Sequence, residues 1–106
     1  MGDFIQVTTT TSSKIEAETI SRALLEKRLA ACVQVVGPIE SHYWWHGKIE
    51  QSGEWLCIIK TIRGRFPAVE SVIRANHTYE VPEIVACPIE EGSEPYLEWL
   101  RNETAG

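Results

Sequence analysis

Cys32-Val33-Gln34-Val35-Val36-Gly37-Pro38-Ile39-Glu40-Ser41-His42-Tyr43-Trp44-Trp45-His46-Gly47-Lys48-Ile49-Glu50 contains two β-prone runs either side of a proline and ends in a tight-turn dipeptide. Residues 32–36 read as a strand. Pro38 has no N–H to give to a ladder, so it predicts a bulge or an edge position. Extended character resumes at Ile39 and runs through Tyr43, Trp44 and Trp45 to His46-Gly47, a reversal after which residues 48–50 and 54–62 return as the partner strand. A continuous strand over residues 32–45 reaches about 45 Å at about 3.3 Å per residue, whereas a compact globule of this size is only about 34 Å across. The hairpin is therefore predicted to project beyond its own subunit.

On the N-terminal side, residues 4–10 are β-prone, and Ser13 and Glu16 have the spacing of a capping box. A helix is predicted over residues 14–30. Ile20, Leu24 and Ala31, flanked by Ala17, Ala23 and Leu25, lie on its buried face, while Glu16, Glu18, Arg22 and Lys27 are left for solvent. On the C-terminal side, Pro67 suits a first helical turn, and Phe66, Val69, Val72 and Ile73 mark the buried side of a second helix ending at Asn76 and His77. Pro82 stops continuation, residues 83–89 read as a fourth strand, and Ser93 with Pro95 opens a short helix bearing Tyr96, Leu97, Trp99 and Leu100. The order βαββαβ plus a terminal helix, without repeat or linker, predicts one α+β domain over residues 1–106: a ferredoxin-like sheet with both main helices on one face.

That arrangement leaves apolar surface over. In the third strand Trp55, Cys57 and Ile59 alternate with Leu56 and Ile58, and in the fourth Ile84 and Ala86 alternate with Val85 and Cys87, so both sheet faces are apolar. Helices on one side cover one face. Another subunit is the simplest cover for the other; alternatively the C-terminal helix folds across part of it. Tyr43, Trp44 and Trp45 at the hairpin tip each bury on the order of 150–250 Å² when covered, which makes them predicted intersubunit contacts.

Composition narrows the partners. The 106 residues carry 15 acidic and 10 basic side chains, a net charge of −5, so no broad positive field exists for a nucleic-acid backbone. No run of about 18 apolar residues is present to span a bilayer, and residues 1–6 lack the basic and apolar regions of a signal peptide, which predicts a cytoplasmic chain without membrane contact. Cys32, Cys57 and Cys87 are odd in number and 25 and 30 residues apart, a spacing that argues for reduced, buried thiols rather than a disulfide framework or chelate.

Five segments in order resemble the CutA family: residues 26–33 (Glu-Lys-Arg-Leu-Ala-Ala-Cys-Val), residues 43–50 at the hairpin tip, Ile59-Lys60-Thr61, His77-Thr78-Tyr79-Glu80-Val81-Pro82-Glu83-Ile84, and Tyr96-Leu97-Glu98-Trp99. The resemblance runs nearly end to end. It implies a homotrimer of ferredoxin-like subunits whose hairpins extend neighbouring sheets, a part in divalent-cation tolerance, and architectural kinship with the PII signal-transduction proteins, which bind small molecules between subunits. It also implies copper binding through histidines near the His77 segment and a first-strand cysteine. Here the first strand holds no thiol, Asn76 precedes His77, and Thr78 stands where the family has proline.

His77, Tyr79 and Glu83 bring an imidazole, a phenol and a carboxylate into the turn before the fourth strand, where a ligand can meet oriented polar groups. Imidazole suits Cu²⁺ or another divalent cation, which makes His77 the candidate metal ligand; alternatively His77 closes the second helix by satisfying local carbonyls. Lys60, a cation in an apolar strand, is expected either to pair with Glu80 or Glu83 or to contact an anion in an intersubunit cleft lined by Lys60, His77, Tyr79, Glu83 and Trp45. Cys32 and Cys57 lie on strands expected to pair, but the register is open. His42 and His46 are about 13 Å apart along a strand, too far for one metal within a chain, and suit a solvated tip.

No nucleophile elbow, P-loop, Ser/His/Asp order or acid/base carboxylate pair is present, and the strand motif of an RNA-recognition domain is missing. The expectation is accordingly a protein that is not an enzyme and requires no cofactor. It is either a metal-responsive trimer or a PII-like module binding a small anion or metabolite, with a structural scaffold as the third reading.

Overall fold

The computed structural model describes residues 3–105. The elements are β1 (Phe4–Thr11), α1 (Lys14–Glu26), β2 (Cys32–Trp45), β3 (Lys48–Ile62), α2 (Phe66–Ala75), β4 (Val85–Pro88) and α3 (Glu94–Glu103), with a single 3-10 turn at Arg63–Arg65 before α2. The sheet order is β2-β3-β1-β4, antiparallel throughout. This is the expected ferredoxin-like α+β fold. Residues 1, 2 and 106 of the expected domain lie outside the described residues.

α1 and α2 cover one face. Ile5, Val7, Cys57 and Ile59 from the sheet interlock with Ala17, Ile20, Leu24, Val69 and Ile73 from the helices. Burying each such aliphatic side chain contributes about 1.5–3 kcal/mol. α1 ends four residues earlier than the periodicity predicts. Arg28 takes φ 59°, its N–H donates to the Leu25 carbonyl, and the Leu29 N–H donates to the Leu24 carbonyl at 3.0 Å, closing a Schellman motif. An arginine here gives no glycine-like stop signal.

β2 and β3 form the expected long hairpin. The ladder is interrupted only between Val36 and Ile39, where the Gly37–Pro38 peptide is cis. At the tip His46 (φ 51°) and Gly47 (φ 78°) are both left-handed, the signature of a type I′ turn whose twist matches the flanking strands. β1 pairs with β3 only from Trp55 onward, so residues 39–54 form a two-stranded ribbon. The molecule measures 44 × 25 × 22 Å, its long axis well beyond the span of a compact globule.

α3 shields one end of the second sheet face, the alternative cover. Leu100 is fully buried, Tyr96 lies against Cys32, and the Arg101 guanidinium sits 4.8 Å from the centre of the Phe4 ring. Beyond it Leu56 and Ile58 are half-buried, and Val36 and Val85 are exposed. β4 is shorter than the expected residues 83–89, because Pro82 cannot donate and Glu83 meets β1 through its side chain, accepting from Thr8 Oγ1 at 3.3 Å. Of the three thiols expected to be buried, Cys57 is buried, Cys32 half-buried and Cys87 exposed on edge strand β4. Cys57 stands opposite Val35 and Cys32 opposite Lys60, which places the two thiols on opposite sheet faces.

The bulge is packed to its limit. A Cβ at Gly37 falls 2.5 Å from Cε3 of Trp55, inside the contact distance of any real side chain. Gly37→Ala is therefore expected to lower the unfolding free energy by about 1–3 kcal/mol by displacing the indole. Urea denaturation checks this, with Gly64→Ala, whose added methyl meets nothing within 4 Å, as control.

Candidate functional site: a cleft between the hairpin and the 78–83 loop

The site is built where α2 gives way to residues 76–84. Asn76 ends α2 by donating its side-chain N–H to the Val72 carbonyl at 2.9 Å. The next side chain, His77, turns inward and is 1% exposed. Its Nδ1 accepts from the Tyr79 N–H at 3.1 Å, which leaves the proton on Nε2, 2.7 Å from the Thr10 carbonyl. Both ring nitrogens are thus engaged with backbone, and the imidazole joins the loop to β1.

Glu16 holds the other side of this loop. Its Oε2 accepts the Thr78 N–H at 2.7 Å and stands 3.8 Å from His77 Nδ1, while Oε1 lies within 3.3 Å of Ser12 N and 3.2 Å of Ser12 Oγ. Burial pushes the Glu16 carboxyl up, but hydrogen bonds from Thr78 and Ser12 and the neighbouring His77 outweigh it and hold the group below its ordinary value. This corrects the placing of Glu16 in solvent. Ser13 does cap α1, accepting the Glu16 N–H at 3.1 Å, but the glutamate side chain reaches Ser12 and Thr78 instead of completing the box.

Anchored in this way, the loop faces the hairpin across a cleft of about 800 Å³, walled by residues 41–45 and Glu54 on one side and residues 78–83 on the other. Tyr79 bridges it: its hydroxyl donates to Glu54 Oε2 at 2.6 Å. Burial and that carboxylate hold the phenol protonated well above its ordinary range. Strand pairing sets Ile39, Ser41 and Tyr43 opposite Glu54, Ser52 and Glu50, and the Tyr43 hydroxyl lies 3.1 Å from Ser52 Oγ. The reverse ribbon face carries Trp44 opposite Ile49, 70% and 67% exposed, beside the Gln51–Glu40 hydrogen bond.

Of the five side chains expected in one cleft, Trp45, Tyr79 and Glu83 line it. His77 lies beneath, as the support of Tyr79. Lys60 does not join them. Six residues along β3 from Glu54, it is about 20 Å away and donates to Gln34 Oε1 at 2.9 Å, rather than pairing with Glu80 or Glu83. Glu80, expected only as a possible partner of Lys60, also lines the cleft, and Glu54 and Thr10 do so without a sequence signal, since only the ribbon's register brings Glu54 to Tyr79. Among the described residues no group of three or more His, Cys, Asp or Glu side chains is placed to hold a metal ion. Burial raises the Cys57 thiol to about 11, which keeps it unreactive. His42 lies 3.5 Å from Glu40, and His46 packs edge-on against Trp45.

A ferredoxin-like fold with an overlong hairpin and a cleft between that hairpin and residues 78–83 defines the class. Residues 5–103 match the profile of the CutA1 divalent ion tolerance protein family, and the chain belongs to that family. It is similar to the divalent-cation tolerance protein CutA of Thermus thermophilus, 46% identical over 90% of this chain and 92% of the relative. It is also similar to protein CutA of Homo sapiens, 49% identical over 83% of this chain and 49% of the relative. The chain spans about half the length of that human relative and of the chloroplastic rice protein CutA 1. Among solved structures it superposes on the periplasmic divalent cation tolerance protein CutA from Archaeoglobus fulgidus with a TM-score of 0.93 and 42% identity, over 95% of this chain and 98% of that one.

Because the Glu16 carboxyl titrates below its unfolded value, its stabilising effect is present above the ordinary carboxyl range, near 4.5, and is lost as pH falls through the lower folded value. Glu16→Gln is expected to cost about 1–3 kcal/mol at pH 7, through weaker bonds to Thr78 and Ser12. The gap between the unfolding free energies of the two proteins is expected to narrow as pH falls below the ordinary carboxyl value of 4.5, as measured by urea midpoints.

Proposed function

We propose that this chain is a non-catalytic, cytoplasmic divalent-cation tolerance protein that works as a homotrimer and receives cationic ligands in the hairpin cleft. The observation that carries the ligand reading is the charge of the walls: Glu54, Glu80 and Glu83 line the cleft with no lysine or arginine among them. A cleft of one sign concentrates counter-ions of the other. The alternative, a PII-like module taking a small anion, depended on Lys60, which faces Gln34 at a distance.

Copper was expected at His77. The residues present do not form a ready metal site: both nitrogens of that ring are engaged, and the cleft offers carboxylate oxygens, which suit hard cations better than copper. Divalent metal ions are therefore assigned weak, exchangeable contacts with the cleft carboxylates rather than a resident position, and His77 the task of holding Tyr79.

Assembly is supported by two exposed surfaces that water does not favour. A two-stranded ribbon is at best marginally stable alone, yet this one presents Trp44 and Ile49 outward. The sheet face beyond α3 exposes Val36 and Val85. The number three follows from the family resemblance. In this reading the Trp44–Ile49 face seals the subunit contact, with Tyr43 and Trp45 at its border.

Sedimentation equilibrium at micromolar concentration is expected to give three times the chain mass, and Trp44→Glu to shift the population toward monomer; a wild-type monomer would sink the assembly reading. A thermal-shift series should raise the melting point with Mg²⁺ or Ca²⁺ at millimolar concentration and leave it unchanged with phosphate or a nucleotide. Stabilisation by the anions alone would reverse the charge argument.

A further inference from the structure

Three carboxylates attract any cation, but the other wall residues restrict which kind. Tyr43, Trp45 and Tyr79 stand beside Glu54, Glu80 and Glu83, and Tyr43 and Trp45 are each only about 60% covered, their rings bordering the cleft. A bare metal ion has no use for aromatic walls. It needs several donors converging at 2–2.6 Å, and the described residues offer no such group. One oxygen of Glu54 is already taken by the Tyr79 hydroxyl. The cleft volume, about 800 Å³, falls in the range of pockets that enclose small organic molecules and far exceeds the volume of an ion.

We infer that the cleft binds an organic cation, an aliphatic amine whose ammonium groups lie against Glu80 and Glu83 and whose carbon chain packs on Tyr43, Trp45 and Tyr79. The chemistry of each wall then has a counterpart in the ligand. Ammonium groups meet carboxylates and the electron-rich faces of aromatic rings, an attraction strongest for tryptophan. Methylene groups meet ring surface that water otherwise covers. The Tyr79–Glu54 hydrogen bond spans the floor and fixes both a ring and a carboxylate before the ligand arrives, so little ordering is required on binding. The anchoring of Thr78 by Glu16 and of Tyr79 by His77 preorganises the loop in the same sense. His42, also at the rim, has its Nε2 3.5 Å from Glu40 Oε1.

This assignment rests on the reading of the cleft as a cation site and names the kind of cation. The test is calorimetric titration of the assembled protein with a linear four-carbon diamine, with MgCl₂ and CuCl₂ in parallel and sodium phosphate as a third arm. Saturable diamine binding is expected, weakening with added salt. Glu80→Gln/Glu83→Gln is expected to lower the affinity at least about tenfold, and Trp45→Leu comparably through loss of the ring. The two glutamates are exposed, so their variant keeps the fold, and sedimentation of each variant verifies assembly. Tyr79→Phe, which keeps the ring, should bind more tightly than Tyr79→Leu. Absence of diamine binding, or equal binding by Glu80→Gln/Glu83→Gln, overturns the assignment. Metal binding that diamine does not displace overturns it too while leaving the cation reading in place, whereas phosphate binding at the cleft overturns both.

Discussion

A single buried carboxylate holds the functional end of this molecule together. Glu16 sits in the first turn of α1, where the partial positive charge of the helix terminus favours an anion, and it takes up N–H groups from Ser12 on its own side and Thr78 on the other. Removing a carboxylate from water is costly unless such donors replace the lost solvent. Here they do, and the consequence is mechanical: the segment leaving α2 is tied to the start of α1. His77 can then turn inward, bridge to Thr10 and hold Tyr79 by its backbone. Without that tie the loop carrying Tyr79, Glu80 and Glu83 would have only the Glu83–Thr8 and Tyr79–Glu54 contacts to place it.

The second constraint is the ribbon. Sixteen residues, 39–54, leave the sheet as two paired strands and meet the rest of their own chain chiefly through Tyr79. One ribbon face turns tyrosine, serine and carboxylate side chains toward the loop, and the other turns Trp44 and Ile49 outward. Because side chains alternate strictly along a strand, one register fixes both faces together. Cleft and outward patch are two sides of one piece of structure, so pressure on either is felt by the other.

Much of the fold was legible. The capping serine at 13, Pro38, the His46-Gly47 reversal and Pro67 are local signals whose physics is complete within a few residues, and each sits where the pattern put it. The end of α1 was not legible, because its left-handed residue is Arg28 and not glycine. β4 is short because Glu83 bonds β1 by its side chain, a choice that neighbouring residues do not announce. The candidate site was legible in part: the His77–Glu83 segment was singled out, whereas Glu16 was assigned to solvent and Lys60 to the cleft.

The sequence by itself determined what depends on near neighbours and on alternation: the βαββαβ order, the two-sided apolarity of the third strand, the excess length of the hairpin, and membership of a recognisable family. Only the tertiary structure decided which residues from distant segments meet. Glu54 reaches Tyr79 across 25 residues and Glu16 reaches Thr78 across 62, while Lys60, on the same strand as Glu54, is carried away from both. Pairing register and the docking of a loop on a helix terminus are cooperative outcomes of packing. The cleft therefore emerges acidic and aromatic, although the segment that builds one of its walls gave no sign of its partner.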